Sequence, residues 1–358
     1  MRPRTSRKEV AAMRQRSRHS LAWLVVAVVV LTFLTMQAGA QQERPKKPAS
    51  QDDEPITLNT TLVQVPVVVS ERGGRYVSDL KENEFTIFED GVKQNIELFG
   101  SVEEPFSVAL LLDSSGSTES ALEQIKSAAM AFVGNLRPHD RVMVVSFNDS
   151  VEVLSELTND TAKLNSAIRN IKSGEFTQVY EAVYTAVWER LRDVEGRKAV
   201  IVFSDGIDTA SSEISLEETL DAVIECEDII VYPIRYGTRE DVERKMEARF
   251  RITAASNSGE PANEKLERSR RELDRAYRSA DEYLQQLADM SGGIVERADR
   301  LGDLKSAFAR IAEELRHQYL LGYYPTNKQK DDKSRRISVR VSRPGVIVRS
   351  RPAYRLTQ

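Results

Sequence analysis

Two hydrophobic rhythms divide the chain. From Phe106 onward, short unbroken apolar runs alternate with stretches whose apolar residues recur at helical spacing. Val108–Leu112 and Ala199–Phe203 are the clearest runs, and Arg141–Phe147 and Ile229–Ile234 read as further strands. Continuous apolar runs of this length suit strands covered on both faces, as in a parallel sheet. Between them, Ala121–Leu136 puts Leu122, Ile125, Ala129 and Phe132 on one helical face. Residues 160–171, 179–193 and 216–225 also read as helices, and the rhythm returns with Tyr283–Ala288, Gly292–Val295, a helix at 303–317 and Gln318–Tyr324. Strands alternating with helices predict an α/β fold with a doubly wound, mostly parallel sheet flanked by helices.

The flanks follow another rhythm. Thr61–Val69 is rich in β-branched residues, Gly73-Gly74 signals a turn, and Asp90-Gly91 separates Phe85–Phe88 from Gln94–Phe99 as in a hairpin. Ile337–Val341 and Val346–Val348, joined by Pro344-Gly345, read as closing strands that pair with the early ones in a small β module. The expected organisation is a β module at 56–104, an α/β domain at 105–325 and C-terminal strands at 326–358. A charged stretch at 239–281 interrupts the α/β rhythm and reads as an inserted, solvated helix or partly disordered segment.

The amino terminus reads as an address. Seven Lys and Arg against one Glu give residues 1–20 a charge of +6; with −4 for the whole chain and no charge in 21–40, the remainder carries −10. The apolar run Leu21–Met36 follows, then Ala38-Gly39-Ala40. Basic, apolar and small-x-small segments in that order describe a signal peptide at 1–40. The other reading is a membrane tether through residues 21–36, and a polar, proline-bearing linker at 41–55 follows in both. Either version predicts an exported protein: periplasmic, secreted or at the cell surface. An acidic body argues against nucleic acid, whose phosphates need a basic face. The lone cysteine, Cys226, excludes an intrachain disulfide and reads as a buried filler at a helix end.

Candidate chemistry gathers where the first strand ends. Asp113-Ser114-Ser115-Gly116-Ser117 offers a carboxylate and two hydroxyls at alternate positions. Ligands of open α/β sheets lie at the carboxyl ends of strands. A later strand ends Ser204-Asp205-Gly206, and Thr177 precedes a helix between the two. Converging hard oxygens suit Mg²⁺, and Mn²⁺ accepts the same donors. Asp208 and Asn148-Asp149, also near strand ends, read as loop caps.

Residues 106–236 resemble a von Willebrand factor A (VWFA) domain. The likeness is carried by Asp-x-Ser-x-Ser at 113–117, by Thr177 ahead of Tyr180 and Ala182, and by Ser-Asp-Gly at 204–206. Arg137–Val142 and Val145–Asn148 also fit the family's lead into its second strand. The resemblance implies a metal-ion-dependent adhesion site at Asp113, Ser115, Ser117, Thr177 and Asp205. It further implies direct ligation by Ser115 and Ser117, ligation by Thr177 in some states, and carboxylates bound directly or through water. An acidic side chain of a protein partner would complete the shell. One departure stands out: where the family commonly has Gly-Gly-Thr, this chain has Gly174-Glu175-Phe176-Thr177. The strand-rich start (Asp79–Gly91) and the finish (Gln318–Pro325) resemble the flanks of exported bacterial VWFA-related proteins.

Three functions compete. The first is a metal-dependent protein-binding, adhesion-type module. The second is a metal-dependent hydrolase or phosphatase; aspartyl-phosphate chemistry typically needs a second Asp two residues on, and Ser115 stands there. Serine hydrolysis needs a base, and His139 and His317 read as surface or capping residues. Neither a phosphate-binding Gly-rich loop with Lys nor a dinucleotide fingerprint is present in the sequence. The third is a structural envelope subunit whose site is vestigial. The sequence favours the non-enzymatic module.

Overall fold

The computed structural model describes residues 62–100, 104–254, 262–329 and 331–355. The 1–40 segment, the linker at 41–55 and residues 255–261 of the charged stretch lie outside the described residues.

The chain opens with β1 (Val63–Glu71), β2 (Phe85–Glu89), β3 (Val92–Gln94) and β4 (Leu98–Gly100). Asp90 and Gly91 both take positive φ, 47° and 85°, so the β2–β3 hairpin closes through a two-residue turn that matches strand twist. The α/β body follows: β5 (Phe106–Asp113), α1 (Leu122–Gly134), β6 (Arg141–Phe147), β7 (Val151–Thr158), α2 (Thr161–Arg169) and α3 (Val179–Tyr184), which runs into a π-helix at Thr185–Leu191. Next come β8 (Arg197–Ser204), α4 (Leu216–Glu225), β9 (Ile229–Tyr236), α5 (Arg239–Ala254), α6 (Ala262–Ser291), β10 (Glu296–Ala298) and α7 (Leu304–Arg316). The chain closes with β11 (Gln318–Tyr323), β12 (Ser334–Val341), β13 (Val346–Ser350) and β14 (Ala353–Arg355).

The central sheet has the order β10-β9-β8-β5-β6-β7, parallel except for the β6–β7 edge pair. This is a doubly wound α/β fold. From β5 the chain winds outward through β6 and β7, then returns to β8 on the other side of β5. That reversal opens a crevice between the carboxyl ends of β5 and β8. Successive β5 residues feed opposite cores: Val108, Leu110 and Leu112 pack under α1, α2 and α7, while Ala109 and Leu111 pack under α3, α4 and α6. Burial on both faces is why the strand reads as an unbroken apolar run.

Both flanks meet in two further sheets, ordered β13-β1-β11-β4 and β14-β12-β2-β3. Their shared core includes Val65, Val67, Ile87, Tyr319, Tyr323, Ile337 and Tyr354. Arginines lock this sandwich to the α/β body. Arg351, fully buried, donates to the carbonyls of Ile224 (2.9 Å) and Val223 (3.4 Å), and Arg349 donates to the Gly292 carbonyl at 3.0 Å and to Glu314.

Two sequence boundaries move. The α/β domain drawn at 105–325 ends earlier, because β11 leaves the central sheet and pairs antiparallel with β1, Val63 against Tyr323 and Val67 against Tyr319. Its alternating Tyr319, Leu321 and Tyr323 fill the sandwich core. The insertion drawn at 239–281 has no break at its end. Helix α6 runs on to Ser291, and from Tyr277 it buries Tyr277, Ala280, Tyr283, Leu284 and Leu287. Only α5 and the first half of α6 form an added hairpin. The antiparallel strand β7 was not read from sequence.

Candidate metal centre

The parallel register sets Leu112 of β5 beside Phe203 of β8, so both strands deliver their next residues to one edge. Asp113 leaves β5 fully buried. Its Oδ1 accepts the Ser115 amide at 2.9 Å, and its Oδ2 accepts the Ser204 hydroxyl at 2.7 Å. The Ser204 oxygen in turn takes the Gly206 amide at 2.9 Å. Gly206 sits at φ 79°, the left-handed region, and a Cβ there would come within 2.9 Å of Leu284 and 3.1 Å of the Ala280 carbonyl. The tight turn behind Asp205 is therefore a glycine position on two grounds.

Ser115 and Ser117 hold their hydroxyl oxygens 3.1 Å apart. Thr118 staples that loop, donating to the carbonyls of Asp113 (3.1 Å) and Ser115 (3.0 Å). Asp205, almost fully buried, takes the Ile207 amide on Oδ1 at 3.1 Å and the Thr238 hydroxyl on Oδ2. Thr177 joins through its backbone. Its amide donates to Thr209 Oγ1 at 2.9 Å, and its carbonyl accepts the Thr209 and Ala210 amides, both at 3.0 Å. The loop before it is tied to the Asp113 loop by the Gly174 amide on the Ser114 carbonyl at 2.9 Å. Asp113, Ser115 and Ser117 thus form one hydrogen-bonded group, Asp205 stands beside it at the end of β8, and the Thr177 loop is tied to the Asp113 loop on one side and to Thr209 and Ala210 on the other.

The caps behave as caps. Asp149 Oδ1 takes the amides of Glu175 (3.0 Å) and Phe176 (2.7 Å), and Asp208 Oδ2 takes those of Val179 (2.9 Å) and Tyr180 (3.3 Å) at the start of α3. Asn148 bonds Ser114 Oγ at 3.1 Å, behind the site. His139 is exposed before β6, and His317 stacks on Tyr76 beyond α7; neither reaches the carboxylates.

The electrostatics are those of a buried acidic pair with no direct ion pair among the described residues. Burial, and then the neighbouring Asp205 charge, push Asp113 up to about 7. Burial raises Asp205 as well, against the Thr238 hydroxyl, the Ile207 amide, Ser117 and the charge of Arg235, which pull it down. Among the described residues, neither carboxylate has an ion pair with Lys or Arg. Buried charges of one sign are costly without a proton or a cation between them. No group of three or more His, Cys, Asp or Glu gathers among the described residues. The donors at this edge are two carboxylates and hydroxyls, a set that fits a hard divalent cation rather than one sought by thiolates or imidazoles.

Ser204, Thr238 and Tyr277 were not singled out from sequence as parts of this group. Thr238 carried a usable signal: it follows the apolar run of β9 by two residues, at the same sheet edge as Asp113 and Asp205. Tyr277 carried none, since it lies inside a run of charged residues.

Residues 108–207 match the family model described as von Willebrand factor type A domain. Over those residues the chain is similar to a von Willebrand factor type A domain. The uncharacterized protein sll0103 of Synechocystis sp. is 28% identical over 106 residues, a match covering 28% of this chain and 25% of that protein. The alignment thus spans about a quarter of that relative's length. Among solved structures, a von Willebrand factor type A protein from Catenulispora acidiphila aligns at 11% identity, over 84% of this chain and 75% of its own, with a TM-score of 0.44. Proximal thread matrix protein 1 of the mussel byssus, solved with a zinc-occupied MIDAS motif, aligns at 14% identity over 62% of this chain and 48% of its own, with a TM-score of 0.43. The vWF domain of the pili tip protein Mfa5 from Porphyromonas gingivalis aligns at 14% identity over 58% of this chain and 94% of its own, with a TM-score of 0.40.

Proposed function

We propose that this protein is an exported, non-enzymatic binding module that holds one divalent cation, Mg²⁺ or Mn²⁺, with Asp113, Ser115, Ser117, Thr177 and Asp205, and captures an acidic group of a protein partner. One observation carries the reading: Asp113 and Asp205 are buried together at the sheet's switch point with hydroxyls around them, and among the described residues no Lys or Arg forms an ion pair with either, Arg235 acting on Asp205 only through its charge. When bound, the cation supplies the missing positive charge and a coordination position that a carboxylate can take. The chain's own residues do the rest. Asp113 and Asp205 hold charge in place, Ser115 and Ser117 offer neutral oxygens, and Ser204 and Thr118 fix the loops that carry them. The hydroxyls of Ser115 and Ser117 add no negative charge to the shell, and a divalent ion held by only two carboxylates keeps positions filled by water that an anionic partner group can take.

The non-enzymatic part rests on both histidines lying away from this edge, which leaves Ser115 and Ser117 without an imidazole base beside them. Export rests on the pattern of residues 1–40. Calorimetric titration with MgCl₂ and MnCl₂ tests the cation reading. One-to-one binding by the wild type, lost in Asp113→Ala and in Asp205→Ala, supports it; phosphoester turnover lost in Asp113→Asn would move the protein to the hydrolase class instead. Cell fractionation tests the export reading, with all of the protein in the cytosol as the contrary result.

A further inference from the structure

The charged hairpin of α5 and the first half of α6 is fastened to the candidate cation site at two depths. At the rim, Lys245 Nζ donates to the Gly116 carbonyl at 3.2 Å, and Ser120 Oγ donates to Asp241 at 3.4 Å. Deeper, Thr238 donates its hydroxyl to Asp205 Oδ2 and stands 2.8 Å from the Tyr277 hydroxyl on α6, with both residues buried. Thr238 has one hydroxyl proton. Spent on the carboxylate, it leaves Tyr277 as the donor in the second bond. A Tyr277–Thr238–Asp205 chain results, running from the hairpin into the site.

Thr238 also opens α5, and its carbonyl accepts the amides of Asp241 (3.1 Å) and Val242 (3.0 Å). A threonine in that position ordinarily turns its side-chain oxygen to a free amide of the first turn. Here the hydroxyl points the other way, to Asp205. The two helices are clipped together beyond it by Arg239 with Asp274 and by Arg270 with Glu247 at 2.7 Å. The two helices are thus cross-linked, and the Thr238–Tyr277 contact stands at their base.

We propose that Thr238 and Tyr277 are positioning residues of the cation site, and that through them cation occupancy and the seating of the α5–α6 hairpin are coupled. The inference rests on the cation reading above. Groups that orient a metal ligand from behind change affinity by about 10- to 100-fold when removed. Coupling is reciprocal: a cation that fixes Asp205 also fixes the hairpin, and a loosened hairpin weakens the cation.

The test combines Mg²⁺ calorimetry with hydrogen exchange on the whole protein. Thr238→Val keeps the shape and removes the hydroxyl, Thr238→Ser keeps the hydroxyl, and Tyr277→Phe removes one oxygen. Thr238→Val is expected to weaken Mg²⁺ about tenfold or more, Tyr277→Phe severalfold, and Thr238→Ser by less than about threefold. Mg²⁺ is expected to slow amide exchange in 239–250 and 264–277 of the wild type, and to do so less in Tyr277→Phe. Should Thr238→Val fail to fold, Tyr277→Phe carries the comparison. Unchanged Mg²⁺ affinity in Tyr277→Phe, or hairpin exchange indifferent to Mg²⁺ in the wild type, overturns the coupling while leaving the cation site standing. A wild type that binds no Mg²⁺ or Mn²⁺ overturns the site itself, and the coupling with it.

Discussion

The hydroxyl of Ser204 donates to Asp113 Oδ2 at 2.7 Å, although the two residues lie 91 positions apart. The bond joins the ends of β8 and β5 where the winding of the sheet reverses. It points the second oxygen of Asp113 away from Ser115, whose amide holds the first. Because the Ser204 oxygen also takes the Gly206 amide, the same hydroxyl sets the turn that presents Asp205. One serine thus fixes both carboxylates.

Ser204→Ala removes a buried donor to a carboxylate and strands the Gly206 amide. Urea unfolding should show a loss of about 1.5–3 kcal/mol, and Mg²⁺ affinity should fall alongside it. A variant as stable as the wild type would mean that Asp113 is held by other contacts.

Asp113 gives stability a distinctive pH dependence. Its carboxyl titrates at about 7 in the fold against 3.8 for the ordinary group. The folded state therefore binds the proton more tightly, so the stabilisation is full below pH 3.8 and is lost as pH climbs through 7. In chelator at pH 8, Asp113→Asn should be more stable than the wild type, by on the order of 2 kcal/mol; at pH 4 the two should converge. Mg²⁺ competes with the same proton, so wild-type affinity should rise between pH 6 and pH 8. Thermal melts and calorimetry across that range would show it, and a flat profile would count against the pairing of Asp113 with Asp205.

Gly206→Ala forces a side chain into the left-handed region and against Leu284 and Ala280 of α6. The expected cost is about 1–3 kcal/mol, from backbone strain and overpacking together. Stability equal to the wild type would show that α6 gives way freely, contrary to the close packing described.

Far from the site, Glu89 joins both sheets of the sandwich. It accepts from Tyr323 (2.8 Å), Tyr354 (2.6 Å) and Arg335 (3.2 Å), with Arg335 and Glu89 each 2% exposed. Arg335→Met leaves a buried carboxylate without its cation and should cost about 3–5 kcal/mol. A single unfolding transition is expected, since buried arginines tie the sandwich to the α/β body; two resolved transitions would show the units to be independent.

Much of this was legible in the sequence, for reasons tied to particular residues. The β5 and β8 runs are buried on both faces, so they stand out as apolar blocks, and Asp113 and Asp205 follow them directly. The Asp90-Gly91 turn announces its hairpin because both residues tolerate positive φ. What escaped depends on distant partners. Tyr319, Leu321 and Tyr323 alternate as a half-buried strand does, yet only pairing with β1, over 240 residues earlier, shows which sheet they join. Helix α6 conceals its boundary because charged residues cover its first half, and the burial of Tyr277 and Tyr283 begins inside the same helix without a break. Ser204 stood inside the Ser-Asp-Gly motif, but its hydrogen bond to Asp113 is a property of register between strands.

In the proposed site, oxygens from separate strand ends close around a single ion. A crystal structure of the protein grown with Mn²⁺, with data collected at the manganese edge, tests it most directly. One anomalous peak is expected within about 2–2.3 Å of the Ser115 and Ser117 hydroxyl oxygens, with Asp113 and Asp205 bound to the ion or to its waters. No peak at this edge of the sheet under saturating Mn²⁺, or a peak held by other residues, would contradict it.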